Sequence, residues 1–191
     1  MSSDDEEAEE NWPDMPTAEK ESAAMAGLPP IAIVGMAARL PGGVNDMSSM
    51  YDFLREKKDG QCPVPASRFN IDGFHNEGEV AYSMRNKQAY FIDDDVGMMD
   101  ASFFGLSEVE AAGSDPRARL LLEVVYECLE NAGQTGYRGQ KIGTFIGAWG
   151  VDWAELTLKD GQQRNPMLGT AAGSFFLSGY IAWNLDLHGP T

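Results

Sequence analysis

The sequence predicts an α/β fold, and three observations predict it. Ile31-Ala32-Ile33-Val34-Gly35-Met36-Ala37 is an unbroken apolar run without the alternation of a half-wet strand, so it reads as a strand covered on both faces. Lys141-Ile142-Gly143-Thr144-Phe145-Ile146-Gly147-Ala148 reads as a second. Between them, residues 115–133 carry a helix with both ends marked. Strand, helices, strand is the βαβ order of an α/β sheet.

A chain of 191 residues, 43% of them apolar, is long enough for one domain with a real core. Its formal charge of −16 is unevenly spread. Residues 1–28 hold nine acids against the single base Lys20, which accounts for half of that charge. An acidic balance argues against nucleic acid and against an anionic membrane surface as partners, since both need a basic face. The acidic N-terminus is unlike a signal peptide, and nothing approaches the run of about 18 apolar residues that spans a bilayer. Two cysteines, Cys62 and Cys128, make neither a disulfide framework nor a four-ligand metal site. Reduced thiols and a cytoplasmic location are expected.

Taken in order, residues 1–28 read as a disordered acidic leader, charged and short of large apolar groups apart from Trp12 and Met15. Order is expected from Pro29-Pro30, with the first strand next and a turn at Arg39-Leu40-Pro41-Gly42-Gly43. Ser48 or Ser49 can cap a short helix with Met50, Phe53 and Leu54 at core spacing, ending by Gly60. Residues 61–100 are loop-rich, broken by Pro63, Pro65, Gly73, Gly78 and Gly97. Ser107 and Glu110 have capping-box spacing and start another helical turn.

The central helix follows. Asp115 suits its N-cap and Pro116 its first position, where the missing N–H costs nothing. Gly133 suits the left-handed residue that closes it. Its apolar rows (Leu121, Val125 and Leu129; Leu122 and Tyr126; Leu120, Val124 and Cys128) occupy most of the circumference, so cover is expected on several sides. Residues 149–169 read as loop with a helical turn around Trp153, Leu156 and Leu158. The last helix starts near Ser174, with one row of Leu177, Ile181 and Leu185 and another of Phe176, Tyr180 and Trp183.

No local motif carries an active site. The first strand leads into Gly35-Met36-Ala37-Ala38-Arg39-Leu40, which lacks the second and third glycines of a dinucleotide fingerprint. Asp93, Asp94, Asp95 and Asp100 miss calcium-loop spacing and read as solvated carboxylates. His75 and His188 have no metal spacing. Cys128 falls in the C-terminal half of a buried helix, where dipole and desolvation both oppose a thiolate, and Cys62 lies in a proline-rich loop. Glu123, Glu127 and Glu130 read as the polar edge of the helix.

The longer patterns do carry information. Ile31–Ala37 with Arg39–Gly43, Val64-Pro65-Ala66-Ser67-Arg68-Phe69-Asn70, Asp100-Ala101-Ser102-Phe103-Phe104-Gly105-Leu106-Ser107, Asp115–Glu123, Gly143-Thr144-Phe145-Ile146-Gly147 and Ser178-Gly179-Tyr180-Ile181-Ala182-Trp183, ending in Gly189-Pro190-Thr191, come in one order. In that order residues 29–191 resemble the N-terminal part of a β-ketoacyl synthase domain of a type I polyketide synthase, of the fungal iterative kind. The resemblance implies the incomplete N-terminal half of a thiolase-like fold. It implies a family reaction of acyl transfer to a cysteine, then decarboxylative Claisen condensation with a malonyl thioester. It places that cysteine in an Asp-Thr-Ala-Cys-Ser-Ser motif just after Gly189-Pro190, beyond Thr191, and two histidines farther on. Neither His75 nor His188 matches them, so no catalytic, cofactor-binding or metal residue is expected here and the chain is expected to be inactive alone. Substrates would arrive on the phosphopantetheine of an acyl carrier protein. The partners implied are that carrier, the rest of the synthase, and a second copy in a homodimer. The sequence departs from the family's usual pattern with Ser114 in place of Met, Arg117-Ala118 in place of Gln-Gln, and Tyr180 in place of Arg. A non-catalytic protein that associates through the row Phe176, Tyr180 and Trp183 is the rival reading, and a nucleotide-binding domain a weaker one.

Overall fold

The helix at the centre of the sequence is also the centre of the structure. The computed structural model describes residues 29–78, 80–159, 162, 165–168 and 173–191. The chain divides into two units, Met1–Ile33 and Val34–Thr191. Of the first, residues 29–33 are described, as an exposed stretch without regular secondary structure; the leader expected over 1–28 lies outside the described residues.

In the second unit the elements are α1 (Met47–Arg55), β1 (Gln61–Pro63), β2 (Gln88–Tyr90), α2 (Glu108–Gly113), α3 (Pro116–Asn131), α4 (Asp152–Leu158) and α5 (Leu177–Leu185). The cap of α1 is Asp46, whose carboxylate accepts from Ser49 N–H at 2.7 Å while Ser49 Oγ accepts from Asp46 N–H. Ser49 is therefore the third helical residue and not the cap, and the helix stops at Arg55, ahead of Gly60. Strands β1 and β2 pair antiparallel with Gln61 opposite Tyr90. At three residues each, with Pro63 in one, they are too short to announce themselves by alternation. The capping box of α2 forms as its spacing predicts, Ser107 with Glu110.

Helix α3 begins on Asp115 with Pro116 at its first position, and Gly133 follows it at φ 70°, the left-handed conformation a Cβ would oppose. The core lies where α3 meets α5: Leu122, Ile181, Ala182 and Leu185 with Tyr137 and Leu187, all buried. The turn 101–105 seats Phe103 and Phe104 edge-on to Tyr126, with ring centroids 4.8 and 6.4 Å apart. Yet only Ala118, Arg119 and Leu122 of α3 are fully buried. Its other apolar rows are half-covered, because no sheet stands over it among the described residues.

The two expected strands depart from expectation in the same way. Residues 31–37 form no strand, and Ile31, Ile33 and Val34 stand 92%, 82% and 69% exposed. The stretch makes a single hydrogen bond among the described residues, Met36 N–H to Asn131 Oδ1 at 3.0 Å. Residues 141–148 form none either. They do have a neighbour. His188 N–H donates to Gln140 C=O (2.8 Å), Gly189 N–H to Ile142 C=O (3.1 Å), and Thr144 N–H to Pro190 C=O (2.8 Å). Both segments advance together, so they run parallel. Pro190 has no N–H to give, which keeps the pairing from becoming a regular ladder.

Gly189 is where the two backbones touch. A Cβ there would sit 2.3 Å from the carbonyl carbon and oxygen of Ile142 and 2.4 Å from Gly143 N. Backbone cannot swing aside as a side chain does. Gly189→Ala is therefore expected to lower stability by about 1–3 kcal/mol, the usual cost of overpacking. A urea midpoint equal to that of the parent would contradict the contact.

Candidate functional site

The N-terminus of α3 is a polar hub. Buried Asp115 accepts from Arg117 N–H at 2.8 Å as the helix cap, and its carboxylate also takes Nε and Nη2 of the Arg117 guanidinium at 3.1 and 2.6 Å. The same guanidinium reaches across to Trp149 C=O and to Gly150 C=O (3.1 Å). The hydrogen bond to Asp115 holds the Arg117 pKa above its ordinary value. Arg119, buried one turn in, donates to Gly97 C=O at 2.9 Å and lies over the Trp153 ring at 6.0 Å. Burial pushes its pKa down. Trp153 Nε1 in turn donates to Gly113 C=O at 3.1 Å. One helix end thus ties together α2, α4 and the turns at 97 and 149–150.

Ser114 and Tyr180, two positions at which the resemblance leads one to expect other residues, meet at this hub. Ser114 Oγ donates to Glu110 C=O at 2.6 Å and lies 3.2 Å from the hydroxyl of Tyr180 on α5. Where the resemblance implies Met and Arg, this chain places two hydroxyls within hydrogen-bonding reach.

A second cluster lies along the other side of α3. Arg39 forks both its terminal nitrogens onto Glu127, Nη1 at 2.8 Å, and its Nε lies 3.3 Å from Asp94. It also donates to Asn45 C=O at 2.8 Å, so one guanidinium joins the turn after residue 38, the 93–95 turn and the long helix. Glu123 sits beside this pair. Burial raises its pKa, against the opposing pull of Arg39 and of the Asp100 N–H. The sign of the consequence is definite. A carboxyl whose folded pKa lies above its unfolded value contributes stability that is complete below the unfolded value and is lost as pH rises through the folded one. Glu123→Gln, which keeps the acceptor and removes the charge, is expected to raise Tm relative to the parent at pH 7 and to leave it unchanged at pH 4. A Tm lowered at pH 7 and unchanged at pH 4 would place the ionised carboxylate among the stabilising groups.

An apolar cleft of about 610 Å³ lies between α2 and α5, lined by Leu106, Glu110, Met167, Phe175, Phe176 and Trp183 among others. The row Phe176, Tyr180 and Trp183 borders it. Phe175 and Trp183 stand 84% and 85% exposed, whereas the row Leu177, Ile181 and Leu185 is buried, the division that the helical spacing predicts.

The residues singled out in sequence are not gathered into one place. Cys62 lies half-buried in β1 opposite Ala89, and Cys128 half-buried in the last turns of α3, neither at a helix N-terminus. His75 bridges to Met84, and His188 Nε2 lies 2.9 Å from Asp186 Oδ1 on the surface. Asp94 pairs with Arg39, while Asp95 and Asp100 accept backbone N–H groups of Gly97 and Phe103 at 2.9 and 3.0 Å, so these acids are turn and ion-pair groups. Glu127 is an ion-pair partner and not a mere polar edge. Among the described residues no set of His, Cys, Asp and Glu is arranged to hold a metal, and no helix is long and apolar enough to cross a membrane. The hub and the Arg39 clamp went unread in sequence because each joins residues tens of positions apart; the one local sign was a basic residue two places after the cap.

Known proteins place this architecture. The chain is 44% identical over 165 residues to the highly reducing polyketide synthase ntnH of a Nectria species, covering 86% of this chain and 7% of that protein. It is 42% identical to the highly reducing polyketide synthase lcsB of Purpureocillium lilacinum, covering 85% and 6%. The chain therefore spans a small fraction of the length of these relatives. Among solved structures, an oxazolomycin ketosynthase domain from Streptomyces albus superposes with a TM-score of 0.68 at 26% identity, over 83% of this chain and 27% of that one. The ketosynthase from module 6 of the bacillaene synthase of Bacillus subtilis superposes with a TM-score of 0.69 at 24% identity, over 84% and 26%, a likeness of fold. These ketosynthases have the thiolase-like fold, of which this chain is a partial α/β piece. The family described as β-ketoacyl synthase, N-terminal domain, matches residues 29–191, and the chain belongs to it.

Proposed function

We propose that the chain is the N-terminal ketosynthase segment of a highly reducing polyketide synthase and that its role is structural within the condensing domain. It contributes the α3–α5 core on which the rest of the domain folds, and by itself carries out no condensation. The family reaction, acyl transfer to cysteine followed by decarboxylative Claisen condensation with a malonyl thioester, would then need residues outside 29–191. The observation that carries this reading is the placement of the two thiols. A nucleophilic cysteine needs a helix N-terminus or a neighbouring cation to favour its thiolate, and backbone N–H groups to hold the oxyanion. Cys62 sits in a strand and Cys128 at the wrong end of a helix. The substrate would come on the phosphopantetheine arm of an acyl carrier protein, in the cytoplasm.

Incubating the chain with an acyl thioester and weighing the intact protein is expected to show no covalent adduct. An acyl group on Cys62 or Cys128 would overturn the reading. A second reading has its own support in the exposed Phe175 and Trp183: a non-catalytic protein that associates with a complete synthase or with itself. Size exclusion distinguishes it, since a compact monomer that ignores an intact synthase counts against it.

A further inference from the structure

We propose that the junction Gly113-Ser114, where α2 ends and α3 begins, is the positioning element of the cleft between α2 and α5. Gly113 seats Met167 on one wall, and Ser114 fixes Tyr180 on the other. The contacts involved all lie within residues 110–180, and none depends on the ketosynthase reading.

A helix end is the starting point. The last carbonyls of a helix have no partner inside it. In α2 the shortage is met from far along the chain. Gly113 C=O accepts from Trp153 Nε1 at 3.1 Å and from Asn165 Nδ2 at 2.7 Å, side chains 40 and 52 positions later. Asn165 Oδ1 accepts Met167 N–H at 2.8 Å, and Asn165 C=O accepts Leu168 N–H at 3.2 Å, so residues 165–168 close into a turn. That turn lies on the bare face of Gly113. A Cβ there would stand 2.6 Å from Asn165 Oδ1 and 3.0 Å from Met167 Cγ. Gly113 is helical, without the positive φ that calls for glycine at other turns of this chain. Glycine is a poor helix former, so what the position uses is the space and not the backbone freedom.

The next residue holds the opposite wall. Ser114 is fully buried, and its Oγ donates to Glu110 C=O at 2.6 Å. A serine has one O–H to give, so in the 3.2 Å contact with Tyr180 the tyrosine is the donor. Met167 and Tyr180 both line the cleft. Two consecutive residues therefore fix its two sides, one through a carbonyl and a missing side chain, the other through a hydroxyl.

Gly113→Ala tests the seat. Alanine is the better helix former, so α2 does not weaken, while the added methyl has to displace Asn165 and Met167. Hydrogen exchange at the Met167 and Leu168 amides is expected to quicken about tenfold, with the parent's circular dichroism retained. The apolar probe N-phenyl-1-naphthylamine, titrated against the methyl NMR resonance of Met167, is expected to bind about fivefold more weakly, because the cleft has lost a wall. Tyr180→Phe, which removes the hydroxyl alone, is expected to weaken the probe without quickening exchange at 167 and 168. Ala112→Gly weakens α2 and leaves the seat untouched, so both readouts should stay at the parent's values. Asn165→Ala removes one donor to Gly113 and the acceptor of Met167 N–H, and should quicken the same two amides even where Gly113→Ala does not fold. Unchanged exchange in Gly113→Ala or in Asn165→Ala overturns the seat. Ala112→Gly reproducing the effects would reduce them to helix stability. A parent whose Met167 resonance ignores the probe, or a probe affinity indifferent to both Gly113→Ala and Tyr180→Phe, would show that the junction does not shape the cleft.

Discussion

Asp115→Ala is expected to destabilise the chain by about 3 kcal/mol, read from urea unfolding. Two losses combine. The helix loses its cap, since the carboxylate accepts Arg117 N–H at 2.8 Å, and capping residues contribute about 1 kcal/mol. The larger loss is the partner of a half-buried guanidinium, because Arg117 cannot shed its charge and remains pinned to the carbonyls of Trp149 and Gly150. Asp115→Asn separates the two, since it keeps an acceptor for the cap and removes the charge, and about half of the loss is expected. Removing both partners, in Asp115→Ala with Arg117→Ala, is expected to cost less than the sum of the single changes, because no unpaired cation is left behind. Additive losses would mean that the pair is not coupled and that the hub is a crystal of separate contacts without a common cause.

Leu122→Ala is expected to cost about 3–4 kcal/mol, within the range for emptying a buried leucine site. Leu122 is wholly buried, and so are Ile181 and Leu185 in the same cluster. The cavity cannot collapse easily, because α3 and α5 are held at their ends by the Ser114–Tyr180 contact and by the pairing of residues 140–144 with 188–190. Leu121→Ala, on the neighbouring row that is only half-covered, is expected to cost about half as much. Equal losses at the two positions would show that both rows are buried alike, as the sequence pattern by itself suggests.

That contrast marks the limit of reading helices from spacing. The rows of α3 are apolar on most of their circumference, and the inference of cover on several sides is sound for a helix in a finished sheet protein. Here one side meets α5 and the aromatic turn at 103–104, another meets the Arg39 clamp, and the remaining apolar rows are half-covered. Similarly, the apolar runs at 31–37 and 141–148 have the composition of doubly covered strands, but a strand exists only with a neighbour to bond, and composition does not supply one. The candidate site was legible to a smaller extent. The cap at Asp115 could be read directly, whereas the Arg39–Glu127 and Arg117–Trp149 contacts could not.

What the sequence determined by itself is what depends on residues a turn apart. The caps at Ser107 and Asp115, the proline at the start of α3, the glycine after its end, and the buried row of Leu177, Ile181 and Leu185 all follow from local hydrogen bonding and helical period, which act within four residues. The order of its longer patterns placed it in its family. Tertiary structure alone decided which apolar faces are covered, which extended runs find a neighbour, and how Ser114 meets Tyr180 and Arg39 meets Glu127. Those outcomes rest on groups 66 and 88 positions apart, whose meeting no local preference encodes.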